Sequence, residues 1–190
     1  MAEDDKLILA DVDPDAGFWV FAYGSLMWRP GFVSERHTLA TLHGYHRSFC
    51  MASIVYRGTP EAPGLVLALD EAEGHHCTGV GYRVSGHSGA EILDYLRERE
   101  LVSAAYREVI APIRLETGED VPALTYVVDR DHHQYRGNHT AHETAEIIAS
   151  AHGPAGSNRE YLQNTVKSLR RLGLDDPDLF DIARRVQSLG

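Results

Sequence analysis

Residues 18–28, Phe-Trp-Val-Phe-Ala-Tyr-Gly-Ser-Leu-Met-Trp, run an apolar strand pattern straight into a Tyr-Gly-Ser turn with no polar linker between them. Trp19, Val20 and Phe21 are bulky strand formers. A turn placed so abruptly at the end of a buried strand becomes part of a pocket wall. Gly24 is expected to take the positive φ that lets the successive backbone N–H groups of Tyr23, Gly24, Ser25 and Leu26 converge on one anion or carbonyl oxygen. Such a loop holds a carboxylate without any Lys or Arg. A hairpin turn with a buried Tyr shares the local pattern, and the remainder of the chain decides between the two.

Working outward, β-rich runs follow at 38–43, 48–55, 64–69, 78–84, 106–115 and 121–128, separated by turn chemistry at Arg29-Pro30-Gly31, Gly58-Thr59-Pro60 and Thr117-Gly118-Glu119-Asp120. One helix interrupts them. Ser88 and Glu91 have capping-box spacing, and Ile92, Leu93 and Leu96 recur at helical intervals. The last third changes period. Thr140 with Glu143, and Ser157 with Glu160, open helices carrying Ile147, Ile148 and Ala151, then Leu162, Val166 and Leu169, while Gly173 ends the second. Asp176-Pro177 opens a final helix reaching Leu189. Strands followed by helices predict an α+β fold, with residues 1–17 as a flexible N-terminal extension and 18–190 as a single domain.

A chain of 190 residues with 43% hydrophobic content buries one sizeable core. Asp and Glu number 28 against 18 Lys plus Arg, a formal net charge of −10, which disfavours nucleic acid and anionic membranes as partners. The acidic start lacks the pattern of a secretory leader, and no run is long enough to span a bilayer. Cys50 and Cys77 form no C-x-x-C pair, so a reducing, cytoplasmic compartment is expected. The oligomeric state is left open by these features.

Helical geometry singles out one carboxylate. At about 100° per residue, Glu100 points within about 20° of Leu93 and about 40° of Leu96, whereas Glu91, Asp94 and Glu98 fall on the opposite side. Glu100 therefore projects from the apolar face, where a carboxylate either pairs with a cation or sits in a cleft with a raised pKa. Arg99 points elsewhere on the helix and reads as a poor intrahelical partner.

FAYGSLMWRP at 21–30, GYHRSFC at 44–50, RGTPEAPGLVLAL at 57–69, GVGYRV at 79–84, YLRERE at 95–100, LTYVVDR at 124–130 and GSNREYL at 156–162 stand in an order that resembles the ChaC family of γ-glutamylcyclotransferases. The resemblance implies a small mixed β-barrel flanked by helices, and cofactor-free cleavage of glutathione to 5-oxoproline and Cys-Gly. It also implies that Tyr23, Gly24, Ser25 and Leu26, with Ala22 before them, bind substrate and that Glu100 is catalytic. Where many members carry Gly-Gly before the next Tyr, this chain has Ala104 and Ala105; Ala155 stands where others often have Ser.

The implied chemistry is economical, because a γ-glutamyl group carries its own nucleophile. Its α-amine attacks the γ-carbonyl and closes a five-membered lactam. That amine, with a reference pKa of roughly 8, is mostly protonated at neutral pH, and the departing nitrogen needs a proton. Glu100 can serve both steps as general base and then acid, while the loop amides hold the α-carboxylate or the developing oxyanion. Two other readings use the same residues: a cyclotransferase for other γ-glutamyl amines or peptides, and a non-catalytic γ-glutamyl-binding regulatory module.

Several residues carry weaker expectations. Tyr161, in the GSNREYL segment, is a substrate-binding candidate, although a Tyr at a helix start is more often a core residue with its hydroxyl at the surface. Arg57 reads as a solvated loop residue that could otherwise meet the glycine carboxylate of glutathione. His132, His133, His139 and His142 lie in a polar loop running into a helix, without Cys or H-E-x-x-H support, and His75, His76 and Cys77 form a similarly weak trio, so no metal is expected. Cys50, between Phe49 and Met51, reads as a small buried residue.

Overall fold

The structure, a computed structural model, describes residues 12–190; residues 1–11 of the expected extension lie outside it. Strands β1 (Phe18–Ala22), β2 (Arg36–Ser53), β3 (Gly64–Val84), β4 (Tyr106–Leu115) and β5 (Asp120–Val128) close into a barrel in the order β1-β3-β2-β4-β5. β1 is the seam. It runs antiparallel to β3 from Phe18↔Val84 to Ala22↔Val80 and parallel to β5 at Trp19↔Ala123 and Val20↔Leu124. Paired on both edges and covered on both faces, all five β1 residues are buried, which explains why the stretch reads as a continuous apolar run.

Two long strands replace four expected short ones. β2 and β3 pair antiparallel from Arg36↔Arg83 to Ser53↔Gly64, and the positions that read as breaks are irregularities within that ribbon. The register slips between His43 and Tyr45, where Gly44 sits at φ 80, and Gly74 on the facing strand takes φ 76. A left-handed glycine absorbs an extra residue and bends a strand without ending it.

Helix α1 (Gly89–Glu100) buries Ile92, Leu93 and Leu96. Its start differs from expectation: Ser88 makes no side-chain cap bond because it closes a 3-10 turn (Gly86–Ser88), which Ser85 caps by accepting from the His87 N–H. α2 (Ala141–Ser150) has the full capping box of Thr140 and Glu143. Two short strands, β6 (His152–Gly153) and β7 (Gly156–Ser157), lead into α3 (Asn158–Arg171), where Ser157 caps the Glu160 N–H while the Glu160 side chain goes to Arg57 instead of back to the cap. Gly173 follows α3 at φ 68, and α4 (Pro177–Ser188) is capped by Asp176 as its sequence predicts.

α3 docks onto β3 through two side chains three residues apart. The carboxamide of the fully buried Asn158 accepts from the Leu65 N–H and donates to the Leu65 carbonyl, both at 2.7 Å. The Tyr161 hydroxyl accepts from the Leu67 N–H at 3.3 Å. Helix positions i and i+3 thereby satisfy strand residues two apart, which share one face of the strand, and their paired backbone groups avoid the penalty of an unmet buried donor. This docking sets the first turn of α3 beside the end of β1.

Candidate active site

A cavity of about 680 Å³ opens where the end of β1, the end of α1, the start of α3 and the loop after β2 meet. Tyr23, Gly24, Ser25 and Leu26 line it, as do Arg99, Glu100 and Tyr161. Ala22 does not. It is fully buried and paired with Val80 at the end of β1, so its expected place at the substrate is corrected to one step behind the wall.

The loop 23–27 is held by its carbonyls. Arg47 Nη1 donates to the Tyr23 carbonyl at 2.9 Å, and the Tyr82 hydroxyl lies 3.2 Å from the Leu26 carbonyl and 3.3 Å from that of Met27. Just upstream, Thr125 Oγ1 donates to the Phe21 carbonyl at 3.1 Å. Within the loop, Met27 N–H donates to Gly24 O at 2.9 Å, so the internal turn bonds begin after the amides of Gly24 to Leu26. Gly24 itself sits at φ −128, not in the expected left-handed region. What distinguishes it is position, since a Cβ there would stand 3.5 Å from the Tyr161 hydroxyl.

Glu100 ends α1 one turn beyond the fully buried Leu96, and its side chain is 17% exposed. Burial pushes its carboxyl above the usual range, partly offset by the guanidinium of Arg99. The pairing with Arg99 corrects the sequence expectation: Arg99 Nε lies 3.2 Å from Glu100 Oε1. Although the two Cα–Cβ vectors diverge, the long Arg side chain is pulled back by the loop after β1. Its terminal nitrogens donate to Ser25 Oγ at 2.8 Å, to the Arg29 carbonyl at 2.7 Å and to the Tyr95 hydroxyl at 2.7 Å.

Tyrosines form much of the remaining wall. Tyr23 donates its hydroxyl to the Tyr126 carbonyl at 2.9 Å, and Tyr106 donates to the Leu67 carbonyl at 3.1 Å. Burial, with the nearby Glu100 carboxylate, holds the hydroxyls of Tyr23, Tyr106, Tyr126 and Tyr161 above their ordinary pKa. They remain neutral hydroxyls on the cavity wall. Tyr161 is a core residue, as its helix position suggests, but its hydroxyl is buried at the cavity and not at the surface. Arg57 is likewise not a solvated loop residue, because it lines the cavity and pairs with Glu160 at 2.8 Å.

A family model described as ChaC-like protein matches residues 18–189. The chain belongs to the ChaC-like family. It is 37% identical over 177 residues to the glutathione-specific gamma-glutamylcyclotransferase of Escherichia coli (strain K12), covering 93% of this chain and 76% of that protein. It is 36% identical over 156 residues to glutathione-specific gamma-glutamylcyclotransferase 1 of Homo sapiens, covering 80% of this chain and 69% of that one. Among solved structures, a yeast gamma-glutamyl cyclotransferase specific to glutathione superposes with a TM-score of 0.83 at 25% identity, covering 91% of this chain and 96% of that one. The fold expectation of a γ-glutamylcyclotransferase-like mixed barrel with flanking helices is thus met.

In this ChaC-like chain the structure brings Glu100, Tyr161 and the Tyr23–Leu26 loop to one cavity, and leaves the histidines elsewhere. The His132 and His133 ring centroids lie 4.3 Å apart with the rings tilted by 39°, His142 lies 3.5 Å from Glu146, and no group of three or more His, Cys, Asp or Glu is placed to hold a metal among the described residues. Cys50 is fully buried and burial pushes its thiol up to about 12, so it is no nucleophile at neutral pH. Sequence reasoning missed Arg99 and Tyr106 on the cavity wall, and Arg47 and Tyr82 behind it, where they hold the loop. For Arg47 a signal existed: a charged residue two positions from Phe49 in a strand is either paired or functional.

Proposed function

We propose that this chain is a cofactor-free γ-glutamylcyclotransferase that converts glutathione to 5-oxoproline and Cys-Gly. The observation that carries the reading is Glu100, a carboxylate raised by burial on the wall that Tyr23–Leu26 also line. Its relatives' names supply the substrate class, and the site supplies the chemistry.

The substrate α-carboxylate takes the amides of Gly24, Ser25 and Leu26, which leaves the α-ammonium free to face Glu100. Glu100 removes a proton from it, and the freed amine attacks the γ-carbonyl carbon, forming the lactam C–N bond. The tetrahedral intermediate collapses by breaking the bond to the cysteine nitrogen. That nitrogen departs with the proton Glu100 delivers, and the second proton on the attacking nitrogen passes through the same carboxylate to the released amine, so the lactam keeps one N–H, Cys-Gly leaves as an ammonium and Glu100 returns to its starting state. Tyr161 contributes a hydrogen bond to the γ-glutamyl group: its oxygen already accepts from Leu67, so its own proton is available to substrate. A reducing, cytoplasmic setting fits the two free, buried cysteines.

The test is release of 5-oxoproline, followed by mass spectrometry, from reduced glutathione, a γ-glutamylamine and γ-Glu-Ala, without added metal and beside Glu100→Gln. Release from glutathione that falls more than tenfold in the variant supports substrate and residue together. Release from another substrate alone moves the specificity, and turnover of Glu100→Gln within tenfold of wild type removes Glu100 from the mechanism.

A further inference from the structure

We propose that Arg47, which does not line the cavity, is the positioning residue that aims the Gly24 amide at the substrate carboxylate, and that Asp176 at the head of α4 holds it there. This rests on the function proposed above, because it assigns what orients the carboxylate-binding loop.

The Arg47 side chain is 5% exposed. Its Nη1 donates to the Tyr23 carbonyl at 2.9 Å and lies 3.7 Å from Met27 Sδ, its Nη2 donates to the Thr78 carbonyl, and its Nε pairs with Asp176 Oδ2 at 3.0 Å. One guanidinium thus joins both ends of the loop, β3 and the last helix. In a trans peptide the carbonyl of one residue and the N–H of the next point in opposite directions within one plane. Drawing the Tyr23 carbonyl toward Arg47 therefore turns the Gly24 N–H away from Arg47. Tyr23 and Gly24 line the cavity and Arg47 does not. A cation bound at the carbonyl also polarises the peptide group, making its N–H a stronger donor.

A buried guanidinium needs a counter-ion, since an unpaired buried charge is strongly unfavourable. Asp176 supplies it while its other oxygen, Oδ1, caps the Leu179 N–H at 3.1 Å. α4 contributes no residue to the cavity wall, yet it carries the charge that keeps Arg47 in place. Asp176→Asn separates the two roles, because Asn caps a helix as well as Asp does but carries no charge.

The experiment compares Arg47→Gln, Arg47→Lys and Asp176→Asn with wild type, using glutathione and γ-Glu-Ala and normalising each rate to folded protein by near-UV circular dichroism. The expected result for Arg47→Gln is a rise in KM of roughly tenfold or more, equal for both substrates because the loop contacts the γ-glutamyl half they share. Arg47→Lys should recover part of that loss, and Asp176→Asn should raise KM in the same direction by less. Should Arg47→Gln fail to fold, Asp176→Asn decides by the same readout. KM within twofold of wild type alongside a lower melting temperature overturns the proposal, since that is what a purely structural residue gives; so does a rise confined to one leaving group. If the wild-type protein turns over neither substrate, the proposed activity fails separately, and glutathione binding by calorimetry in the same variants then reads the loop: unchanged affinity overturns the proposal and weakened affinity sustains it.

Discussion

Arg99 Nε stands 3.2 Å from Glu100 Oε1 while its Nη2 donates to Ser25 Oγ at 2.8 Å, so one guanidinium ties the proposed catalytic carboxylate to the loop that faces it. Two opposing effects meet at Glu100. Burial raises its pKa and Arg99 lowers it, with burial the larger. The net shift is upward, in the direction that helps a carboxylate both take and return a proton.

Replacing Arg99 by Met leaves burial unopposed, and the Glu100 pKa rises further. A general base must be ionised to act, so the ascending acid limb of kcat/KM against pH moves to higher pH in Arg99→Met and returns toward wild type in Arg99→Lys. The pH profile with glutathione checks this; a limb that stays in place means that Arg99 exerts no charge effect on Glu100 in solution.

Glu100→Gln should stabilise the fold while removing activity. Because the folded-state pKa is raised, the folded protein binds more protons than the unfolded chain between the unfolded value of roughly 4.3 and the raised one. Wild-type stability therefore falls as pH rises through that window and stays lower above it. Gln has no such penalty. Thermal unfolding is expected to show a higher melting temperature for Glu100→Gln at pH 7, with the gain shrinking as pH falls from the raised folded value toward the unfolded Glu pKa.

Tyr161→Phe tests whether the hydroxyl reaches substrate or only supports β3. Loss of the bond to Leu67 should lower stability by about 1 kcal/mol. If the hydroxyl also donates to the γ-glutamyl group, KM rises roughly three- to tenfold with little change in kcat. An unchanged KM beside the stability loss restricts Tyr161 to packing.

Ala104 adopts φ 53 in the turn between Glu100 and β4. A side chain in the left-handed region carries about 1–2 kcal/mol of strain, partly balanced by the greater freedom of an unfolded glycine. Ala104→Gly is expected to stabilise the protein by roughly 0.5–1 kcal/mol, read as a higher urea midpoint at unchanged slope. A lower midpoint would show that the turn relaxes around alanine without strain.

Much of the architecture was legible along the chain. The caps of α2 and α4 and the end of α3 follow from Thr140, Asp176 and Gly173, because capping is a local bond between residues a few positions apart. The placement of Glu100 on the apolar face of α1 needed only helical periodicity. The boundaries of β2 and β3 did not follow, since the β-rich pattern lapses at 44–47 and 70–77, where Gly44 and Gly74 sit. Whether a left-handed glycine ends a strand or bends it depends on a partner strand far away in sequence. The start of α1 failed for a local reason: Ser88, the expected cap, closes a 3-10 turn that Ser85 caps.

The chain by itself therefore determined which groups are present for chemistry: an apolar strand ending in a Tyr-Gly-Ser loop, and a carboxylate on the buried side of a helix. These are properties of neighbours in sequence, governed by propensity and period. Only the tertiary structure decided what surrounds them. Arg47 reaches Tyr23 across 24 residues and Arg99 reaches Ser25 across 74, and such contacts depend on barrel register and helix docking. Long cationic side chains have many rotamers, and a position in sequence does not say which one a distant carbonyl will select.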